Sequence, residues 1–472
     1  MSIKSLGKQS LIYGFGHIIA RLVTFFLLPL YTHVFTPDEY GIISLAYAFM
    51  GFTLILYRYG MDTALMKYSV QLDGRERTVH ITTIYGLQLF TSLIFSGLLF
   101  ISKHHIALYV LGIDRPDWIA ILSGILLMDA LWNIPILILR TEEKPIPFIA
   151  YNFTNVLITM GLNIFFVITL EMGIQGVLLA NLISSTSLFI LSIPIIINRI
   201  DIGGMKRSIL SKVLRFALPF FPAGIFTMIM ELSNRYLLEW LSDTTAVGLF
   251  SAGYKLGVMG LIVVMGFNMG WTPYFLKRGT QPSARKEFAQ IASIFLGLLG
   301  FVVVVVSLWI PEIIRISIGS RPLIGEQFWA AEHVIHVILL AYFFFGTYVI
   351  QLPGIYIKEI TNWIPIFRAV GAIVNIGMNI YLIPIYGIIG SAWATVIAFV
   401  AMSSSIFLCT YKIYPIMYNW IACVYPILYM GIVFFTGNDV LIRSITMFFY
   451  PIGWYFFAIN SEERTIIKSF IA

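Results

Sequence analysis

The sequence predicts an all-α polytopic membrane protein of about fourteen transmembrane helices, built as two parallel-repeat six-helix lobes plus two extra C-terminal helices. Three observations carry this. The chain of 472 residues is 59% hydrophobic and only 11% charged, with a mean hydropathy of +0.89, against roughly 45–50% and about 25% in soluble domains. Its apolar residues fall in continuous runs of about 20, the length of a helix that crosses hydrocarbon, whereas barrel strands would alternate over ~10. Three short patterns also recur in the same order, at offsets of 207, 214 and 216 residues. Unpaired backbone groups are prohibitive in lipid, so continuous runs of this length must be helices.

The expected spans are 9–34, 40–63, 79–102, 118–139, 146–170, 174–198, 211–240, 245–274, 288–310, 331–353, 362–384, 388–411, 415–436 and 440–460. The first contains His17 and Arg21 and is too long for the apolar core of a signal peptide, so it is expected to remain as a helix. Basic residues fix the orientation. With the N-terminus in the cytosol, twenty Lys and Arg fall in cytosolic segments and five (Lys103, Arg115, Arg315, Arg321 and Arg443) in outer ones. That bias supports a multi-pass protein with both termini inside. It also accounts for the net charge of +7 without nucleic acid as a partner.

The repeat divides the chain into lobes at 1–203 and 204–412, with residues 413–472 holding the two additional helices and a short tail. Six helices return the chain to its starting side, so the second lobe repeats the first in the same orientation. Gly41, Ser44 and Tyr47 open the second span, and Gly248, Ser251 and Tyr254 open the eighth. Gly173, Gly176 and Ala180 open the sixth span, and Gly387, Gly390 and Ala394 the twelfth. Asn152, Thr159 and Asn163 share the spacing of Arg368, Asn375 and Asn379; steps of seven and four keep each set on one helical face.

Charges inside spans are expensive and carry the functional signal. Arg21 lies mid-span in the stripe Ser10, Gly14, His17, Arg21 and Thr24, and Lys255 lies deep in the eighth span. Both read as facing a cavity, the alternative being a buried ion pair. Arg368 shares its face with Asn375 and Asn379, or snorkels to the interface. Glu231 and Arg235 are spaced i,i+4 and either neutralise each other or belong to the site; Arg58 and Asp62, another such pair near the cytosolic end of the second span, are either an interfacial anchor or part of the site. Asp129, on a face with Asn133, is a charge partner for a cavity cation or a protonatable group. Asn152, Asn155, Thr159 and Asn163 are either packing glue or amides offered to sugar hydroxyls. Gly253, Gly257, Gly266 and Gly270 suit close helix contact or bending.

No catalytic chemistry is visible. The chain lacks a G-x-x-x-x-G-K-[ST] loop, H-E-x-x-H and G-x-S-x-G, whose phosphate-binding, zinc and nucleophile roles need those residues at those spacings. Cys409 and Cys423 read as core residues, and no metal or cofactor is expected; the identity of any coupling ion is open.

The stretches LLPLYTHVFTPDEYGIISLAYAF, YGMDTALMKY and NIYLIPIYGIIGSAWATVIAF resemble the polysaccharide-biosynthesis oligosaccharide flippases (Wzx-like) of the multidrug/oligosaccharidyl-lipid/polysaccharide exporter superfamily. The resemblance runs over the first twelve spans, and fourteen spans suit the flippase branches better than the twelve usual in drug exporters. It implies a V-shaped pair of lobes around a cationic cavity of alternating access in the cytoplasmic membrane. Its implied cargo is a polyprenyl-pyrophosphate-linked oligosaccharide, passed from the cytosolic to the outer leaflet. Membrane lipids, a glycan polymerase and other export machinery are the implied partners. Arg21 matches the cavity cations, with Arg58, Lys255 and Arg368 beside it. Rival readings are a multidrug/cation antiporter of the same superfamily, which would favour acidic cavity residues, and a peptidoglycan-precursor flippase. An integral-membrane glycan polymerase would carry a long outer catalytic loop, which the sequence lacks.

Overall fold

A computed structural model describes residues 25, 27–201, 207–437 and 439–471. Arg21 and most of the first expected span lie outside the described residues. Apart from one two-residue hairpin, Ser317–Ile318 against Arg321–Pro322, the elements are helical. Eleven helical segments are long and apolar enough to cross a membrane. The longest, 361–413, carries a non-helical residue at Gly387 that divides it into two passes, and Trp420–Val433 is a shorter apolar helix. Counted that way, thirteen passes lie among the described residues. The chain is an all-α polytopic membrane protein.

Two compact units emerge, residues 1–248 and 249–472. The first holds α1 (Pro37–Arg58), α2 (Met61–Gln71), α3 (Gly74–Ile101), α4 (Lys103–Leu111), α5 (Pro116–Thr141), α6 (Pro145–Asn163), α7 (Gly173–Ile197), α8 (Arg207–Ala217) and α9 (Phe220–Leu241). It also takes the first turn of α10 (Thr244–Gly257). The second holds the rest of α10 with α11 (Met259–Arg278), α12 (Ala284–Arg315), α13 (Glu332–Val349), α14 (Leu352–Ile357), α15 (Ile364–Ile413), α16 (Trp420–Val433), α17 (Val440–Gly453) and α18 (Ser461–Ile471).

Four expected spans are interrupted, 245–274 at Val258 and 331–353 at residues 350–351 only briefly, 40–63 and 211–240 with more effect. The run 40–63 breaks at Tyr59 and Gly60, with φ of 26° and 85°. Gly60 is held against Ala217, whose carbonyl oxygen a Cβ would meet at 2.2 Å. Arg58 therefore ends one helix and Asp62 begins another, so the i,i+4 geometry expected of that pair does not form. The run 211–240 breaks before Pro219, leaving α8 as a separate amphipathic helix. Its Val213 and Ala217 are fully buried, and its basic side stays outside, with Lys212 over the Tyr68 ring at 5.4 Å.

The repeated patterns make repeated structures. Gly173 and Gly387 sit at φ of 56° and 55°, each turning the chain from one pass into the next; only glycine takes that conformation without a Cβ penalty. Gly176 and Gly390 then pack back on the preceding turn. A further pair was not read from the sequence. Glu143 and Glu359, 216 residues apart, both take φ of 56° at the ends of matching helices.

The first pattern meets itself. A Cβ on Gly41 would lie 2.1 Å from the Thr244 carbonyl oxygen, and one on Gly248 would lie 1.8 Å from that of Pro37 and 3.1 Å from the Gly41 nitrogen. The glycine that opens each copy thus lets two backbones touch, as small residues do between membrane helices. The α1 side is fixed by a capping box in which Thr36 and Glu39 satisfy each other's backbone N–H.

At the end that the charge bias assigns to the cytosol, Glu142 gathers three cations. It accepts from Arg199 at 2.6 and 2.7 Å, from Lys144 at 2.9 Å and from Arg77 at 3.2 Å. These bonds join the ends of α3, α5, α6 and α7. The Arg199 guanidinium, followed by Lys144, holds the Glu142 carboxyl down to about 2, from an ordinary value of 4.5.

Two outcomes are expected. Gly248→Leu should lower the melting temperature of the detergent-purified protein far more than Gly266→Leu, since a Cβ at Gly266 meets open space. Because Glu142 is depressed in the folded chain, its stabilisation is complete above about 4.5 and drains as the pH falls towards 2. Melting temperatures of Glu142→Gln should be lower at neutral pH and fall less steeply through that window.

Candidate functional site

Each unit carries a line of polar side chains at membrane depth. In the first, α7 is the spine. Its Ser184 hydroxyl donates to Asn155 Oδ1 at 2.7 Å and accepts from the Thr159 hydroxyl at 2.9 Å. The next residue, Ser185, donates to Asp129 Oδ1 at 2.6 Å, and Trp132 Nε1 donates to the same oxygen at 2.9 Å. Adjacent serines therefore bond in two directions, to α6 and to α5. Further along, the Tyr31 hydroxyl donates to Asn163 Oδ1 at 2.7 Å, and Asn181 Nδ2 donates to the Tyr47 hydroxyl at 2.7 Å. In lipid each of these groups would otherwise be unsatisfied, which is why they converge.

Charges flank this line. Arg58 lies within electrostatic reach of Asp62 and Asp129, and its Nε is buried without a hydrogen-bond partner. Asp62 also accepts from the Thr63 amide at 2.9 Å. Arg235, on α9, feels Tyr40 and Tyr236 and donates to the backbone carbonyl of Glu231 at 2.9 Å. The carbonyl, not the Glu231 carboxylate, is the partner in that bond. Asn152 donates to the Phe148 carbonyl at 2.7 Å and is only half-buried.

The second unit repeats part of this. Asn379 Nδ2 donates to the Asn375 carbonyl at 2.8 Å, as Asn163 Nδ2 does to that of Thr159 at 2.8 Å. Its Oδ1 accepts from Ser391 at 2.7 Å, where Asn163 accepts from Tyr31. Asn163, Asn375 and Asn379 are all 0% exposed; in this conformation Asn163 and Asn379 bind helix to helix, while Asn375 Oδ1 accepts from Asn379 at 3.2 Å one turn along. Arg368 lies beside the Tyr348 hydroxyl of α13. Gly253 and Gly257 are the contact face of α10 against α13, where a Cβ would meet Val334 at 2.8 Å and Ile338 at 2.6 Å. Lys255, two residues from each, points to the other side of the helix at 100° per residue.

Sequence reasoning missed Ser184, Ser185, Asn181 and Trp132. Single serines are too common in membrane helices to stand out, but the Ser184–Ser185 pair, with Asn181 a turn before it, was a usable signal. It also missed Arg443, counted as an outer-loop residue. Arg443 is instead 4% exposed inside α17, held by Glu312 at 2.5 Å.

The matched asparagines give a paired test. Asn163→Leu and Asn379→Leu each strand a buried hydroxyl, of Tyr31 and Ser391, and should each cost about 1–3 kcal/mol, read as similar falls in melting temperature.

The comparisons with known proteins agree with this architecture. Residues 6–278 match the family described as "Polysaccharide biosynthesis protein". A Haemophilus influenzae protein, "Lsg locus putative protein 1", is 23% identical over 354 residues, 72% of this chain and 84% of its own length. The multidrug export protein MepA of Staphylococcus aureus is 24% identical over 208 residues, 42% of this chain and 44% of its own. Among solved structures, the lipid II flippase MurJ in its inward closed conformation has a TM-score of 0.73 at 16% identity, covering 94% of this chain and 99% of that one. An inward-facing multidrug resistance MATE family transporter of the MOP superfamily has a TM-score of 0.65 at 14% identity, covering 93% and 97%. The chain is a multi-pass membrane protein that belongs to the polysaccharide biosynthesis protein family.

Proposed function

We propose that this chain moves a polyprenyl-pyrophosphate-linked oligosaccharide from the cytosolic to the outer leaflet of the cytoplasmic membrane, by alternating access of a cationic cavity, with both termini in the cytosol. The single observation that carries this is the sign of the intramembrane charge. Arg21, Arg58, Arg235, Lys255 and Arg368 all fall within spans, and of the carboxylates there, Asp129 is already held by two donors. Cations suit a diphosphate, above all guanidinium, which forks across two phosphate oxygens.

The physics of the cargo supports the same reading. Each sugar hydroxyl costs on the order of 2–7 kcal/mol to bury unpaired, so unassisted crossing is very slow, while the polyprenyl tail is at home in lipid. Outward movement of an anion is also downhill in an inside-negative cell, by about 2.3 kcal/mol per charge per 100 mV. Half-buried Asn152 and Asn155 are the amides best placed to meet hydroxyls. Asn163, Asn375 and Asn379 would first exchange their internal bonds. Asp129, Asp62 and Glu231 serve as charge partners that keep the cations soluble in the protein between cargoes. A glycan polymerase would receive the cargo outside.

The antiporter reading has one observation of its own, the intramembrane carboxylate of Asp129. The two separate in proteoliposomes. A fluorescent polyprenyl-pyrophosphate oligosaccharide should become accessible on the far leaflet with the protein and not without it. Arg21→Lys should lose much of this activity and Arg21→Ala nearly all, at normal membrane levels. Export of a cationic dye that depends on Asp129, with no movement of the glycolipid, would replace the flippase by the antiporter.

A further inference from the structure

A pocket of about 170 Å³ opens in the second unit where the two C-terminal helices α16 and α17 meet α12 and α13. It lies at the end that the charge bias assigns to the outside, and none of the candidate cations or asparagines line it. Ser307, His333, His336, Phe434, Thr436 and Arg443 do. At ~30 Å³ per water the space holds several waters; a single sugar ring is the scale of organic ligand that fits.

The lining is built. Asp439 caps α17 by accepting from the Leu441 and Ile442 amides at 2.8 and 3.2 Å. Arg443, one turn on, donates Nε to the Gly437 carbonyl at 2.8 Å and Nη1 to Glu312 at 2.5 Å. Glu332 is paired in turn with Arg315 at 2.8 Å. Each lining charge with an opposite partner is thereby neutralised. A charged ligand would be desolvated here with no unmatched counter-charge to receive it. Yet the pocket is not apolar. His336 Nδ1 is buried without a partner, Ser307 and Thr436 line the same space, the Thr436 hydroxyl donating to the Val433 carbonyl at 2.7 Å and keeping its lone pairs as acceptors, and Phe434 forms an apolar wall beside His336, ring centroids 6.3 Å apart.

We propose that this pocket binds one ring of a neutral, hydroxyl-rich sugar on the outer side. Hydroxyls both donate and accept, so a sugar can satisfy imidazole nitrogen and serine and threonine oxygens at once, while its C–H face lies on Phe434. A few polar groups fixing orientation within apolar walls is the usual composition of a small-ligand site. The ligand class follows from the pocket's chemistry; that the ring belongs to an exported glycan rests on the function proposed above.

The test is saturation-transfer NMR on the full chain in lipid nanodiscs, with methyl glycosides of glucose, galactose, N-acetylglucosamine and rhamnose as probes. Inorganic phosphate and tetramethylammonium serve as ionic comparators. At least one glycoside should saturate a single site that neither ion displaces. Phe434→Ala, at a position 47% exposed, and Ser307→Leu, which fills the pocket, should each weaken it about tenfold or more, with melting temperatures checked. No saturable glycoside binding, binding unchanged in both variants, or tighter binding of either ion would overturn the proposal. Glycolipid transport without glycoside binding would sink this site alone; glycoside binding without transport would leave it standing and sink the flippase.

Discussion

Hydrocarbon offers no hydrogen bonds, and every other feature of this chain answers to that. Backbone groups are satisfied by helices, so the long passes follow from composition alone. Where one pass turns directly into the next, the chain does so on residues that tolerate positive φ, such as Gly173 and Gly387. Many polar side chains at depth are bonded to another polar side chain or to a carbonyl one turn back. The line through Ser184, Ser185, Asn155, Asp129 and Asn163 is the result. Function has to be written in the same scarce material, which is why site and scaffold are hard to separate here.

That overlap explains what could be read from the sequence. Spans, the doubled pattern and the glycine turns were legible because they rest on period and on backbone conformation, both local. The breaks at Tyr59–Gly60 and before Pro219 were less so. An apolar run gives no sign of interruption when the cause is a distant backbone, and Gly60 is pinned by Ala217. Among the candidate site residues, the asparagine stripes were visible in the sequence as residues at one-faced spacing. Spacing could not say which of their two uses held, and the bonds to Tyr31 and Ser391 favour the structural one in this conformation. Arg443 failed for the opposite reason. It stood too near a helix end to look buried, and its partner Glu312 lies 131 residues away.

The two copies have also diverged in an instructive way. Tyr47 and Tyr254 occupy the same place in the repeated pattern, yet one receives a bond from Asn181 and the other shares one with Tyr342 at 2.8 Å. Glycine turns persist in both halves because their demand is on the backbone. Hydrogen-bond partners drift because any neighbour with a free donor or acceptor will serve. The Glu142 hub has no such latitude, since three cations in one place need that one carboxylate.

The meeting of Gly41 and Gly248 carries a consequence for entropy. Interfaces made by long side chains must freeze rotamers each time they form, at up to about 2 kcal/mol for each long, flexible residue. A junction made chiefly of backbone, with only the short Thr244 side chain beside Gly41, has almost nothing to freeze. Its register is set by backbone atoms, which have no rotamers to choose among, so the two helices meet in one alignment.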